Sequence, residues 1–223
     1  LFCILGDDLT KFSIPCVILC GGRSTRMGQL KQNLKMGNTF LAKQETLADF
    51  QARHFSQWFS SLYFSAKFEI LNTLGITTIL DLPVGGADLT NVQDWQNAPK
   101  HQFAPIFGLQ SVLEFLQCNV FVVSIDTPFL DCDSIALLLQ SFTKNPKPTF
   151  AKNTKIHPLL GIYTQESLAN IQTQIAQGDY KLMRLLGKID AQFVEINESK
   201  TQNLNTPQEY QEALMQMQSR VKA

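Results

Sequence analysis

Apolar and polar residues fall in blocks along this chain, and the blocks predict its elements. Cys16-Val17-Ile18-Leu19 is apolar throughout, the pattern of a short strand buried on both faces. Gly21-Gly22 break it, and residues 21–38, with four glycines, are predicted to be a loop. Leu47, Phe50, His54 and Trp58 recur at helical spacing and predict a helix over about 46–60. Short strands are predicted at 62–65 and 77–80. Residues 82–103 carry Pro, Gly, Asn and Gln without periodicity, and a loop of that length tends to carry function. Ile106, Leu109, Val112, Leu113 and Leu116 line one side of a helix over 106–116. Residues 120–125 form a second buried strand that ends on Asp126-Thr127-Pro128, and Asp133 opens a helix to about 142. Strands at 149–151 and 159–163, helices at 167–176 and 181–186, and a strand at 193–196 follow. In Thr206-Pro207-Gln208-Glu209, Thr caps the last helix, Pro takes its first position and Glu209 reaches back to the cap.

This alternation of strands and helices predicts an α/β fold, a mostly parallel sheet with helices on both faces. Ligands of such sheets lie beyond the C-terminal strand ends. The loop after Leu19 and the carboxylate of Asp126 both fall at strand ends of that kind. The 223 residues, 44% apolar and 17% charged, favour one domain over 14–223 after an N-terminal extension, 1–13. The five cysteines are odd in number and contain no Cys-x-x-Cys, so neither a disulfide framework nor a zinc site is expected. Cys16 and Cys20 flank an apolar run and are expected in the core. The N-terminus has no basic segment of the signal-peptide type, and Asp7 and Asp8 come early. No apolar run approaches the ~20 residues of a membrane helix. The expectation is a cytoplasmic protein with no membrane partner.

The charge adds one feature. Basic and acidic residues are equal at 19 each, so no global field draws nucleic acid, and the aromatic residues form no stacking platform. Between Thr10 and Gln44, however, Lys11, Arg23, Arg26, Lys31, Lys35 and Lys43 occur with no Asp or Glu. A solvated face mixes signs, so this stretch points to an anionic ligand. Within it runs Leu19-Cys20-Gly21-Gly22-Arg23-Ser24-Thr25-Arg26-Met27-Gly28-Gln29-Leu30-Lys31. Glycines let backbone amides approach phosphate oxygens, and Arg26 and Lys31 can neutralise a triphosphate. The spacing is neither that of a dinucleotide fingerprint nor that of a P-loop. A Gly-containing turn with solvated cations is the plainer alternative. Asp126, at the end of a buried strand, suits Mg²⁺ bridging phosphate oxygens; a helix or turn cap is the alternative. Alternation puts Asn203 and Asn205 on one side of an extended segment, where they hold a metal or ligand or simply end a strand. His157, read as a loop residue, is a general base or a phosphate contact, or else a structural or exposed His. No Gly-x-Ser-x-Gly elbow occurs.

Together these motifs resemble the molybdenum cofactor guanylyltransferase family. Its Leu-Ala-Gly-Gly, Arg-Met-Gly and Asp-Lys elements are similar to Leu19-Cys20-Gly21-Gly22, Arg26-Met27-Gly28 and Leu30-Lys31 here. Its Ile-Asp-Thr-Pro, Pro-Leu-x-Gly and His-Pro elements are similar to Ile125-Asp126-Thr127-Pro128, Pro105-Ile106-Phe107-Gly108 and His157-Pro158. Its Asn-x-Asn-Thr-Pro ending is similar to Asn203-Leu204-Asn205-Thr206-Pro207. The matches cover about 15–217 in the family's order. The resemblance implies a Rossmann-like three-layer nucleotidyltransferase fold. It also implies an Mg²⁺-dependent transfer of GMP from GTP to the phosphate of the molybdopterin cofactor, with molybdoenzymes or their chaperones receiving the product. By the same resemblance Leu19, Cys20, Gly21 and Gly22 contact the nucleotide, Lys31 and Arg26 the phosphates, Asp126 the metal, and Gly108 lines the site. Asn205 lies near the metal or pterin. An Asp that contacts the guanine nucleotide is matched best by Asp81, with Asp94 as rival. The chain departs from the pattern at Leu30, where Asp usually precedes the lysine, at Ala104 and at Ser65, where Asn is common. A cytidylyl- or sugar-1-phosphate transferase, and a non-catalytic carrier of the cofactor, are the alternatives.

Overall fold

The structure, a computed structural model, describes residues 11–21, 29–36, 45–82 and 98–221. Gly22, Arg26 and Asp94 lie outside the described residues, as do residues 1–10 and most of the 82–103 loop.

Strands β1 (Cys16–Leu19), β4 (Leu62–Ala66), β5 (Thr78–Leu80), β6 (Val120–Ser124), β7 (Thr149–Lys152), β8 (Ile156–Tyr163) and β9 (Gln192–Glu195) build a seven-stranded sheet in the order β5-β4-β1-β6-β8-β7-β9. β1 pairs in parallel with β4 and β6, β4 with β5, and β7 with β9; β8 runs antiparallel to β6 and β7. β1 therefore sits inside the parallel part, where both faces are covered and an all-apolar strand is stable. Its residues divide by parity. Cys16, Ile18 and Cys20 enter one apolar cluster with Leu47, Phe55, Ile135 and Leu138; Val17 and Leu19 enter another with Ile106, Leu109, Ile171 and Leu185. The first cluster is closed by α1 (Leu47–Ser56), α3 (Cys132–Lys144) and α6 (Pro207–Val221), the second by α2 (Pro105–Leu116), α4 (Ser167–Ala176) and α5 (Leu182–Lys188). This is the expected α/β fold with helices on both faces. Cys16 and Cys20 are core residues, 0% and 7% exposed.

Three boundaries differ from the sequence pattern for identifiable reasons. α1 stops at Ser56, short of 60, because Phe59 lies beside Phe12 in an isolated parallel bridge, with the Phe12 N–H donating to the Trp58 carbonyl. α3 begins at Cys132, capped by Asp131, whose Oδ1 accepts from the Ser134 N–H at 3.0 Å. β8 begins three residues before the predicted 159. Pro158 interrupts its apolar run yet is accommodated, because the β7–β8 register shifts between Phe150 and Ala151. Ala151 pairs with His157 while Phe150 pairs with Gly161, so the proline, which has no N–H to give, lies in the irregularity. His157 is thus a strand residue, not a loop residue.

Candidate active site

The C-terminal ends of β1, β4, β5 and β6 face one way, and the last three deliver polar residues there beside the glycine that follows β1. Leu19 of β1 is in register with Ser65 of β4 on one side and Ser124 of β6 on the other. Two strand spacings, roughly 10 Å, separate those serines, and each hydroxyl donates to a carboxylate.

On the β6 side, Ser124 Oγ donates to Asp126 Oδ1 at 2.6 Å. The Ser124–Thr127 turn is fixed from three directions. The Ile125 N–H donates to the Leu19 carbonyl, Gln51 Nε2 donates to the Ile125 carbonyl, and the Leu204 N–H donates to the Asp126 carbonyl. Asp126 is 7% exposed and forms an ion pair with Lys31, whose Nζ also donates to Asn205 Oδ1 at 3.0 Å. Asp126 caps no described helix: the next helix is capped by Asp131.

Lys31 begins a 3-10 turn, Lys31–Asn33. Leu34 and Met36, 1% and 2% exposed, anchor the segment that follows in the core. The Leu47 N–H donates to the Leu34 carbonyl, and β2 (Lys35–Met36) pairs antiparallel with β3 (Glu45–Thr46). Leu30, where the family pattern has Asp, is 38% exposed. Lys31 is nonetheless held, by Asp126 and Asn205.

Asn205 is set by the start of α6. Glu209 Oε2 accepts from the N–H groups of both Asn205 and Thr206 at 2.8 Å, and Thr206 Oγ1 accepts from the Glu209 N–H. Burial works against the Glu209 charge, but these backbone donors and the Thr206 hydroxyl win, and its carboxyl sits below the usual range. Leu204 turns into the core at 0% exposure, so Asn203 and Asn205 both face the Asp126-Thr127 turn; Asn203 Oδ1 accepts from Thr127 Oγ1 at 3.1 Å. The segment is therefore both a helix cap and part of the site. A polar cleft of about 360 Å³ adjoins it, with Asn153, Lys155, Gln202 and Asn203 among its lining residues.

On the β4 side, Ser65 Oγ donates to Asp81 Oδ1 at 2.6 Å, and Lys67 Nζ lies 3.2 Å from Asp81 Oδ2. Asp81 packs directly on two glycines. A Cβ at Gly21 would lie 3.3 Å from Asp81 Oδ2; one at Gly108, in the first turns of α2, would lie 2.9 Å from Ser65 Oγ and 3.1 Å from Asp81 Oδ1. Gly21, Ser65, Asp81 and Gly108 are thus brought together. Cys20 lies between the two carboxylates: burial first, then Asp81 and Asp126, push its thiol well above the usual range.

His157 lies at this same edge, near the start of β8, which runs antiparallel to β6, and it contacts Asn153 of the cleft and none of Lys31, Asp126 or Asp81 among the described hydrogen bonds. Its Nε2 lies 3.1 Å from Asn153 Oδ1, whose Nδ2 donates to Thr201 Oγ1. Burial first, then Lys155, lower its pKa against an opposing pull from Glu198. Sequence reasoning missed Lys67 and Ser124. Each stands two residues from a recognised position, Ser65 and Asp126, and that spacing on one side of a strand end was the available signal.

The MobA-like NTP transferase domain model matches residues 16–193. A molybdenum cofactor guanylyltransferase of Campylobacter jejuni subsp. doylei is 32% identical over 204 residues, 89% of this chain and 94% of that protein. The chain belongs to the molybdenum cofactor guanylyltransferase family. Solved structures show the same fold. Molybdopterin-guanine dinucleotide biosynthesis protein A from Archaeoglobus fulgidus superposes with a TM-score of 0.70 at 16% identity, covering 92% of this chain and 100% of that one. The 2-C-methyl-D-erythritol 4-phosphate cytidylyltransferase from Thermus thermophilus gives 0.58 at 13% identity, covering 93% and 98%.

Proposed function

We propose that this protein transfers GMP from GTP to the terminal phosphate of the molybdopterin cofactor, releasing pyrophosphate and the guanine dinucleotide form of the cofactor. The observation that carries this is the convergence of Lys31, Asp126 and Asn205, from three remote segments, on the strand ends that also carry Gly21 and Asp81. The shared name of the curated relatives supports the base and the reaction.

Mg²⁺ is tested by the chemistry of the donors. Asp126 and Asn205 already direct two hard oxygens at one cationic centre, the Lys31 ammonium. Mg²⁺ takes one or two carboxylates and completes its octahedron with water and phosphate oxygens. Among the described residues no group of three or more His, Cys, Asp or Glu is placed to hold a metal. The residues fit the ion. Asp126 with Asn205 would hold it, and it would supply charge neutralisation on the phosphates.

The chain's own residues position and stabilise. The Gly21 backbone, free of a side chain, approaches the phosphates; Lys31 neutralises oxygens of the triphosphate, and Arg26 is assigned the same task from its motif. The cleft beside Asn205, with Lys155 and several amides, is assigned to the acceptor. A phosphate oxygen of the acceptor attacks the α-phosphorus of GTP. A P–O bond forms there as the bond to the bridging oxygen breaks, and pyrophosphate leaves with the electron pair. No covalent protein intermediate is needed, and the rate comes from alignment and electrostatics. We assign the reaction to the cytoplasm, with molybdoenzymes or their chaperones taking the product; among the described residues no helix is long and apolar enough to cross a membrane.

Calorimetry with GTP, CTP, ATP and UTP in the presence of Mg²⁺ tests the proposal, followed by turnover with molybdopterin. Selective GTP binding and turnover are expected. Selective CTP binding would make this a cytidylyltransferase, and GTP binding without turnover a carrier.

A further inference from the structure

The Lys67–Asp81 ion pair is buried at the ligand edge of the sheet, with side chains 7% and 4% exposed. Burying two charges costs desolvation that their attraction scarcely repays, so such a pair is weak support for stability. Its surroundings indicate another use. Asp81 Oδ1 takes a hydrogen bond from Ser65, Oδ2 faces Lys67, and both oxygens lie against glycine backbones, Gly21 after β1 and Gly108 in α2. A carboxylate has about four lone-pair sites. Among the described residues two are used, one on each oxygen, which leaves a matched pair of acceptors for two neighbouring N–H donors. Lys67 follows directly on β4 while Asp81 follows β5, its neighbour, so the ammonium is fixed on one flank of that acceptor pair.

A 2-amino-6-oxopurine offers two adjacent donors, N1–H and the 2-amino group, beside an acceptor, O6. Adenine and cytosine offer a donor where guanine has O6. We propose that Lys67 is a positioning residue for nucleotide selectivity, holding Asp81 as an acceptor for the N1–H and 2-amino donors of guanine. This rests on the guanylyltransferase reading above. Asp126 lies on the far side of Cys20 with Lys31 and Asn205, so the phosphates and the base would take opposite sides of the loop that follows β1. Without Lys67 the carboxylate, buried at 5% exposure, loses the cation that fixes Oδ2, and its two oxygens are no longer held in place for the paired donors of guanine. Burial first, against the pull of Asp81, already holds the Lys67 ammonium below its usual pKa, in keeping with a desolvated site.

The experiment is calorimetric binding of Mg²⁺ complexes of GTP, ITP, which lacks the 2-amino group, and 2′-deoxy-GTP. Wild type is expected to bind GTP about tenfold or more tighter than ITP, the loss for one unmade hydrogen bond to a charged acceptor, and to bind 2′-deoxy-GTP within a few-fold of GTP. Lys67→Met is expected to bring the GTP/ITP ratio close to one, and Lys67→Arg to restore most of it. A GTP/ITP ratio unchanged in a folded Lys67→Met protein overturns the proposal. Should Lys67→Met fail to fold, the wild-type ratio still decides: equal affinity for GTP and ITP, or discrimination against 2′-deoxy-GTP alone, overturns it. Failure of wild type to bind any nucleotide would instead remove the guanylyltransferase reading.

Discussion

Gly108→Ala tests whether the Asp81 carboxylate is packed on helix α2 as described. In an ordinary helix interior this substitution stabilises by about 1 kcal/mol. Here the new methyl would meet Ser65 Oγ at 2.9 Å and Asp81 Oδ1 at 3.1 Å. Ser65 can turn away only by giving up its hydrogen bond to Asp81, and a bond to a charged group contributes about 1.5–3 kcal/mol. The helix gain offsets part of that loss, leaving a net destabilisation of about 0.5–2 kcal/mol. For a domain of this size it amounts to a melting temperature lower by roughly 1–8 °C. The internal control is Gly187→Ala in α5, where an added Cβ meets nothing within 4 Å; it should raise the melting temperature slightly. Thermal melts and GTP calorimetry on both variants are the assay. Gly108→Ala should melt lower and bind GTP about tenfold more weakly, because a displacement costing ~1.4 kcal/mol at one contact is tenfold in affinity. If instead it melts higher than wild type and binds GTP normally, the carboxylate does not pack against α2 and the β4-side geometry is refuted.

Asp126→Ala should abolish Mg²⁺-dependent turnover with the circular dichroism spectrum unchanged, and retained activity at ordinary Mg²⁺ would remove Asp126 from the metal site. Lys31→Ala should weaken GTP binding or the chemical step; normal values of both would show that Asp126 and Asn205 hold this lysine away from the phosphates. Glu209→Gln should lower stability at neutral pH. Because the native Glu209 carboxyl lies below its ordinary value, its contribution is fully present above about pH 4.3. That contribution fades as pH falls through the lowered native value, so wild-type and variant melting temperatures should converge in acid.

Much of the site was legible because its residues are tied to strand ends, and strand ends follow from alternation. Asp126 closes an apolar run that reads as a doubly covered strand, and Lys31 lies within the acid-free stretch. Local pattern could not show that Leu30 leaves Lys31 anchored, because the anchors, Asp126 and Asn205, stand 95 and 174 positions away. His157 was misplaced for a related reason. Its neighbour Pro158 is a breaker by any local rule, and only the register shift against β7 lets a proline lie within β8. Lys67 was passed over because a lysine after a strand is ordinarily solvated, and its burial beside Asp81 depends on the long-range pairing of β5 with β4.

The two carboxylates differ in what surrounds them, and that difference divides their work. Each accepts from a serine at 2.6 Å and pairs with a lysine. The Lys31–Asp126 side chains are 16% and 10% exposed, against 7% and 4% for Lys67–Asp81. The first pair lies beside a polar cleft and rests on a short 3-10 turn, so under the proposed function its ammonium would leave Asp126 for an incoming triphosphate. The second is enclosed by strand ends and two glycine backbones, where separating the charges would strand one in a medium of low dielectric. An exchangeable pair would suit the metal–phosphate complex that the proposed reaction binds and releases at each turnover. A fixed pair suits recognition of a rigid ring, where selectivity depends on acceptors that do not move to accommodate the wrong partner.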